Sequence, residues 1–370
     1  PSVLSAVMKA YMTEFMRIVV NDGMDVLGGA GISRGPRNML AAAYAALPIG
    51  ITVEGANILS RSLIIFGQGA IRCHPYVLEE IHAVESRDLG RFDRAFFGHM
   101  GLVLSNCFRA WVLGLTRSRP ARPGRGGPLE PYAGELSRMS AAFTFTADVT
   151  MAVLGGALKR KEMLSGRMAD ALAWMYFGSA ILKRFEDEGR PAGDLPLARW
   201  GLEKALFEIQ SALDEFLRNF PSPWVRRALR GSVFPLGARR RPPDDRLRRA
   251  VASALVFGAE GRLRLTPDMY LPPAGEPGLG FLEAALDKVV KARPVERKLH
   301  EAIRRGRLAR AGRPALVKAG LASGVIDENE ARLVLEAEAA RDEVIQVDDF
   351  GPGHFGAAAA ETGPAAPARS

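Results

Sequence analysis

Apolar residues recur every three or four positions through nearly the whole chain, and almost no segment alternates with period two. A period near 3.6 collects side chains on one face of a helix, whereas a half-buried strand needs period two. The pattern therefore predicts an essentially all-α fold. In residues 4–19 the apolar positions are Leu4, Val7, Met8, Tyr11, Phe15, Ile18 and Val19, a one-faced helix. A second clear stripe follows Pro196 and reaches Asn219, through Leu202, Leu206, Ile209, Leu213, Phe216 and Leu217. At 370 residues, 48% hydrophobic and 25% charged, the chain lies in the globular range and has length for two helical units.

Glycine and proline divide this pattern. Gly23 is placed to end the first helix. Pro36 is placed to open a short Ala-rich helix, which Pro48-Ile49-Gly50 interrupts. A helix is expected over 57–66, ended by Gly67-Gln68-Gly69, and another from Pro75 to Glu85. The stretch 116–134, with six prolines and glycines in 120–128 alone, reads as a loop. Long helices are expected over 141–160 and 162–188, smaller ones over 280–292 and 295–305, and an acidic one over 328–343. Residues 226–249 hold nine arginines and read as an exposed connector, which either meets an anionic surface such as lipid or is a solvated loop. The Ala/Gly/Pro tail from Gly351 reads as disordered.

Charge and cysteine usage narrow the function classes. The net charge is +9, but 41 acidic residues are spread among the 50 basic ones, of which only nine are lysine. So diffuse a surplus argues against a nucleic-acid partner. Cys73 and Cys107 cannot build a disulfide framework, so a reducing, cytoplasmic compartment is expected. No apolar run reaches about 18 residues, so no membrane-spanning segment is expected. The chain opens on Pro1 in mid-helix and reads as part of a longer protein. Cys73, His74, His82, His99 and Cys107 show no ligand spacing of the C-x-x-C or H-x-x-x-H kind, so no metal site is expected.

Two short segments could carry chemistry. In Ile51-Thr52-Val53-Glu54-Gly55-Ala56-Asn57-Ile58-Leu59 a single carboxylate lies among aliphatic residues, followed by two small ones. Taken out of water, such a group holds its proton more tightly and can exchange one with a substrate. Alternatively Glu54 faces the positive end of a helix starting near Asn57. Upstream, Gly28-Gly29-Ala30-Gly31 either lets backbone N–H groups approach phosphate oxygens or simply turns the chain after a helix. It is not a dinucleotide fingerprint, because a helix precedes it and the glycine spacing differs.

Taken together, these segments resemble the C-terminal helical domain of acyl-CoA dehydrogenases, where the motif around the catalytic base reads aromatic-Glu-Gly-Thr-Asn or close to it. The run from Asn57-Ile58-Leu59-Ser60-Arg61 to Cys73-His74-Pro75-Tyr76 is similar to the bacterial long-chain, FadE-type members. So are Val153-Leu154-Gly155-Gly156, Asp187-Glu188-Gly189-Arg190 and Val347-Asp348-Asp349-Phe350. The resemblance implies the end of the dehydrogenase helical domain over 1–70, an added C-terminal helical domain over 71–350 and a tail over 351–370. It implies an FAD-dependent α,β-dehydrogenation of medium- or long-chain acyl-CoA to trans-2-enoyl-CoA in fatty-acid β-oxidation. Glu54 falls on the catalytic base, which removes the α-proton while a β-hydride passes to the flavin. Gly55 falls on a substrate-contacting position. Asp25, Gly28, Gly29, Ala56, Asn57 and Ile58 fall on flavin-contacting positions.

Three positions depart from that pattern. Ala56 stands where Thr is usual, Asp25 where Gln is frequent, and the Arg-Asp pair common before the base is missing from 38–50. The resemblance further implies a flavin-type electron acceptor and a homo-oligomer, and the arginine-rich connector adds the expectation of peripheral contact with the inner membrane. Because the family's flavin-ring and acyl contacts come largely from other domains, the chain by itself is expected to be inactive. The competing class is a non-catalytic helical module that docks on a membrane or a partner.

Overall fold

A computed structural model of the protein describes residues 2–124, 126–276 and 278–351. Its helices are α1 (Ser2–Leu27), α2 (Gly29–Ile32), α3 (Ala41–Thr52), α4 (Asn57–Leu59), α5 (Gly69–Arg72), α6 (Val77–Glu85), α7 (Leu89–Leu115) and α8 (Glu130–Leu154). They continue as α9 (Glu162–Asp187), α10 (Leu195–Arg218), α11 (Pro223–Val233), α12 (Asp245–Phe257), α13 (Ala259–Leu265), α14 (Leu279–Arg304), α15 (Arg313–Ala322) and α16 (Glu328–Val344). Ser60–Gln68, between α4 and α5, is a π-helix. Among the described residues there is no strand, so the fold is all-α.

The chain forms two compact units, Pro1–Phe15 with Pro48–Pro267, and Met16–Leu47 with the chain from Asp268 onward. These groupings cut across the sequence boundary near residue 70, because the first unit runs unbroken from Pro48 to Pro267; α1 contributes to both units. The tail beyond Gly351 lies outside the described residues.

In the first unit the core lies among α8, α9 and α10. The α10 stripe is fully buried from Leu202 to Leu217 and meets Met139 of α8 and Met168 of α9. Small residues let the helices approach. Ala169, Ala171 and Ala173 are buried on α9, and a Cβ on Gly178 would already touch Leu136 at 3.0 Å. By length and composition α8, with the turn running on to Arg160, could cross a membrane. Here it is a core helix that buries Arg138 and Asp148 with their partners.

The second unit is built on α14, α15 and α16 around Leu299, Val317, Ile326 and Val334. Asp327 caps α16 reciprocally with Glu330, as the first turn of a helix requires. Within the same unit the loop after α2 is tied to α16 and to the segment that follows it. Arg37 pairs with Glu343 at 2.7 Å, and its backbone N–H donates to Asp348 at 3.2 Å.

Several expectations are corrected. α1 runs through Gly23 to Leu27, and Gly23 is a packing glycine: a Cβ there would lie 2.6 Å from Leu40. The Ala-rich helix begins at Ala41, not Pro36, and carries Pro48 inside it. The stretch 86–115, for which no helix was expected, is the 27-residue α7, capped by Asp88. α8 starts at Glu130, inside the expected loop. The arginine-rich stretch 226–249 is largely helical, as α11 and the start of α12, with Leu229, Val233 and Leu247 buried. The two patches at 280–305 are one helix that accommodates Pro294.

Candidate functional site

The Glu54 segment lies in the first unit, between α3 and α4. Glu54 and Gly55 both have positive φ, 54° and 85°, so the chain reverses sharply there. Glycine adopts this region freely, whereas a glutamate pays strain. Lys9 of α1 holds the turn by donating to the Gly55 carbonyl at 2.7 Å and to Asn57 Oδ1 at 2.8 Å. The Asn57 amide donates in turn to the Ala10 carbonyl, to Thr13 Oγ1 and to Glu14 Oε1, at 3.2, 2.8 and 3.0 Å. Asn57 is thus buried and saturated, and it anchors the turn to α1.

The side chain of Glu54 is exposed, which corrects the expectation of a carboxylate withdrawn from water. Flanking apolar residues do not bury it, because Ile49, Val53 and Ile58 are themselves 63%, 46% and 65% exposed. α4 does start at Asn57, but its N-terminal cap is Ala56, without a side-chain bond, so Glu54 is not the cap. The backbone N–H groups of Glu54, Gly55 and Ala56 have no partner among the described residues. The turn therefore offers a carboxylate, a row of free donors and an open apolar border.

Behind the turn, Arg61 grips Asp170 of α9 with two nitrogens, at 2.7 and 2.5 Å. The Tyr11 hydroxyl donates to the same carboxylate at 2.5 Å. Burial, and then the negative charge of Asp170, push the Tyr11 hydroxyl far above its ordinary range. Ala10, Tyr11, Glu14, Asn57, Ile58 and Arg61 enclose a cavity of about 150 Å³. The π-helix that follows is an uncommon geometry, frequent at functional sites.

The other implied flavin contacts fall in the second unit. Asp25 is exposed in the last turn of α1, and its carbonyl accepts from Gly28 N–H at 3.2 Å. Gly28, at φ 57°, breaks the chain out of α1. Gly29 is a close-packing position, since a Cβ would stand 2.8 Å from Val347. A cavity of about 390 Å³ adjoins this loop, with Leu27, Ala30, Phe281 and Leu282 among its apolar walls. Its charged border is Arg37 with Glu343 and Asp348, so the one cation already faces two carboxylates.

A further cluster was not legible in the sequence. His74, His99 and Asp148 bring ligand atoms within 4.8 Å of one another, the geometry of a metal site. His74 Nδ1, however, accepts from the N–H groups of both Tyr76 and Val77, each at 3.1 Å. Its proton must then sit on Nε2, where it donates to Asp148 at 3.0 Å. A metal ligand needs that nitrogen bare, so the backbone holds the wrong tautomer for coordination. Among the residues around the turn, Lys9, Tyr11 and Asp170 carried no motif, because their partners lie 46 to 159 positions away.

Residues 71–350 match the family model for the acyl-CoA dehydrogenase C-terminal domain, bacterial type. No solved structure matches the chain.

Proposed function

The chain belongs to the bacterial-type acyl-CoA dehydrogenase C-terminal family, and on that premise we propose that it carries the catalytic base of an FAD-dependent α,β-dehydrogenation of acyl-CoA. The carrying observation is the Glu54 turn, an exposed carboxylate on a strained, clamped loop with free N–H groups beside it. Glu54 is the group that takes the α-proton of the thioester. The N–H groups of Glu54 and Gly55 donate to the thioester oxygen as negative charge gathers on it, which is oxyanion-hole logic. FAD, when bound, supplies the acceptor for the β-hydride.

The residues fit such a group. Ile58 offers open apolar surface, and the unbonded N–H of Ala56 offers a donor for a ring carbonyl. Asn57 takes part through backbone only, since its amide is used on α1. Asp25, Gly28 and Gly29 remain candidates through the second unit. Exposure of Glu54 is consistent with this reading, because bound substrate and flavin would supply the cover that raises its proton affinity. Medium- or long-chain substrates, a trans-2-enoyl product, β-oxidation, a flavin-type electron acceptor and a homo-oligomer belong to the same proposal.

The test is Glu54→Gln in the complete protein. Dehydrogenation should fall by at least about a thousandfold while flavin absorbance is retained. Activity surviving within about tenfold would remove Glu54 from the role.

A second reading is favoured by α7. Its outward face exposes Phe97 (69%), Leu104 (71%) and Phe108 (63%), with Trp111 and Leu115 beyond, over a helix whose other face is buried. This suits docking on a membrane surface, peripheral to the cytoplasmic side. Flotation with vesicles, lost in a Leu104→Asp, Phe108→Asp variant, separates docking from catalysis.

A further inference from the structure

We propose that the arginine-lined cavity of the first unit binds a small phosphorylated molecule, an organic diphosphate by its charge. The cavity measures about 420 Å³, within the range of small-ligand sites. Arg117 and Arg122, which follow α7, border it together with Arg138 of α8 and Arg239 and Arg240, which precede α12. Five guanidinium groups therefore surround a single carboxylate, Glu135.

That carboxylate is already shared. Arg138 lies 3.2 Å from it, Arg240 3.6 Å, and the Ser118 hydroxyl donates to it at 2.9 Å. Burial pushes Glu135 up, but Arg138, Arg240 and Ser118 together hold it below the usual carboxylate range. Arg117, Arg122 and Arg239 have no ion pair among the described residues. Like charges crowded into a concave wall repel one another, and an anion removes that repulsion.

The walls are built rather than incidental. Arg117 and Ser118 both take positive φ, 54° and 57°, a conformation that side chains other than glycine resist. The turn is held by Ser118 N–H to the Leu113 carbonyl at 2.8 Å. It also packs on Gly134, where a Cβ would stand 2.8 Å from the Ser118 carbonyl. On the opposite wall Gln210 clasps the Arg240 backbone, accepting from its N–H at 2.8 Å and donating to its carbonyl at 3.2 Å. A Cβ on Gly114 would meet Pro235 at 2.6 Å, so that loop sits directly on α7.

A planar guanidinium presents paired donors that match two oxygens of one phosphoryl group. Several around one cavity suit a ligand with more charge than one carboxylate carries. Pro235 and Leu236 in the same lining supply apolar surface for an organic part. The site needs neither FAD nor Glu54.

The test is calorimetric titration of the full chain with inorganic pyrophosphate, against an Arg117→Gln, Arg122→Gln, Arg239→Gln variant. All three side chains are exposed, so circular dichroism should show unchanged helicity. The wild-type chain should bind saturably, and the variant at least about tenfold more weakly. Raising salt to about 0.3 M should also weaken binding. Competition by CoA or by soluble short-chain phosphatidylglycerol then tells a nucleotide-bearing diphosphate from a lipid phosphate, and displacement by either supports the site. No saturable binding of pyrophosphate, or equal binding by the folded variant, overturns it.

Discussion

Lys9 donates to the carbonyl oxygen of Gly55 across 2.7 Å, so a residue of the first helix fixes the Gly55–Ala56 peptide, one residue beyond Glu54. The same ammonium holds Asn57 Oδ1, so it grips the turn at two points beyond Glu54, beside the bonds of the Asn57 amide to α1. Lys9→Met keeps the length of the stem but removes both bonds. Its expected signature in the complete protein is a kcat lowered about tenfold with little change in thermal stability, because a loosened turn misplaces the base. A kcat equal to wild type would show that the turn holds itself.

Glu54 occupies a backbone region that costs a side chain about 1 kcal/mol or more. Its side chain makes no hydrogen bond that could repay the cost. Glu54→Gly should therefore stabilise the chain by about 0.5–1 kcal/mol in urea unfolding. Glu54→Gln should be neutral there. The pair separates strain from charge, and a destabilised glycine variant would contradict the strain.

These two residues also show what was legible beforehand. The Glu54-Gly55 pair stands out because a carboxylate and a glycine interrupt an aliphatic run, whereas Lys9 is one polar position on a helix. The fold was legible where apolar residues occupy one face, as on α10. α7 was not, since Phe97, Leu104 and Phe108 face outward while Ala95, Ala110 and Leu113 are buried. Apolar residues on both sides leave no period to read. In 226–249 the arginines masked α11, although Leu229 and Val233 lie one turn apart and both are buried. The Asp170 anchor was beyond any spacing argument, being 109 positions from Arg61.

The raised proton affinity of Tyr11 makes stability depend on pH with a definite sign. A tyrosine whose folded value lies above its unfolded value, near 10, contributes equally at all lower pH. Above pH ~10 the unfolded chain loses its phenolic proton first, so unfolding becomes easier as pH rises. Among the six tyrosines, Tyr11 should therefore fail to ionise by ultraviolet titration until the chain unfolds, and Tyr132, which burial also pushes up, should ionise late. Tyr11→Phe should flatten the loss of stability above pH ~10, at a cost of about 1–2 kcal/mol at neutral pH from the lost bond to Asp170. An unchanged alkaline limb would assign that limb to another group.

Asp348 ties the segment after α16 to the loop after α2, within the second unit. Its two carboxylate oxygens accept from Arg37 N–H at 3.2 and 3.3 Å, and a Cβ on Gly35 would have no room beside it. Only a glycine there lets the carboxylate reach the backbone. Asp348→Ala removes these bonds while leaving the Arg37–Glu343 pair, which is half exposed and contributes little. Since residues 345–350 add no side chain to the buried core of α14, α15 and α16, the loss should be local. Global unfolding should shift by less than about 1 kcal/mol, while hydrogen exchange at 345–350 should quicken by about tenfold. Gly35→Ala should reproduce that local opening with Asp348 intact. If both variants left exchange unchanged, the closing segment would be held by Val347 against Gly29 instead.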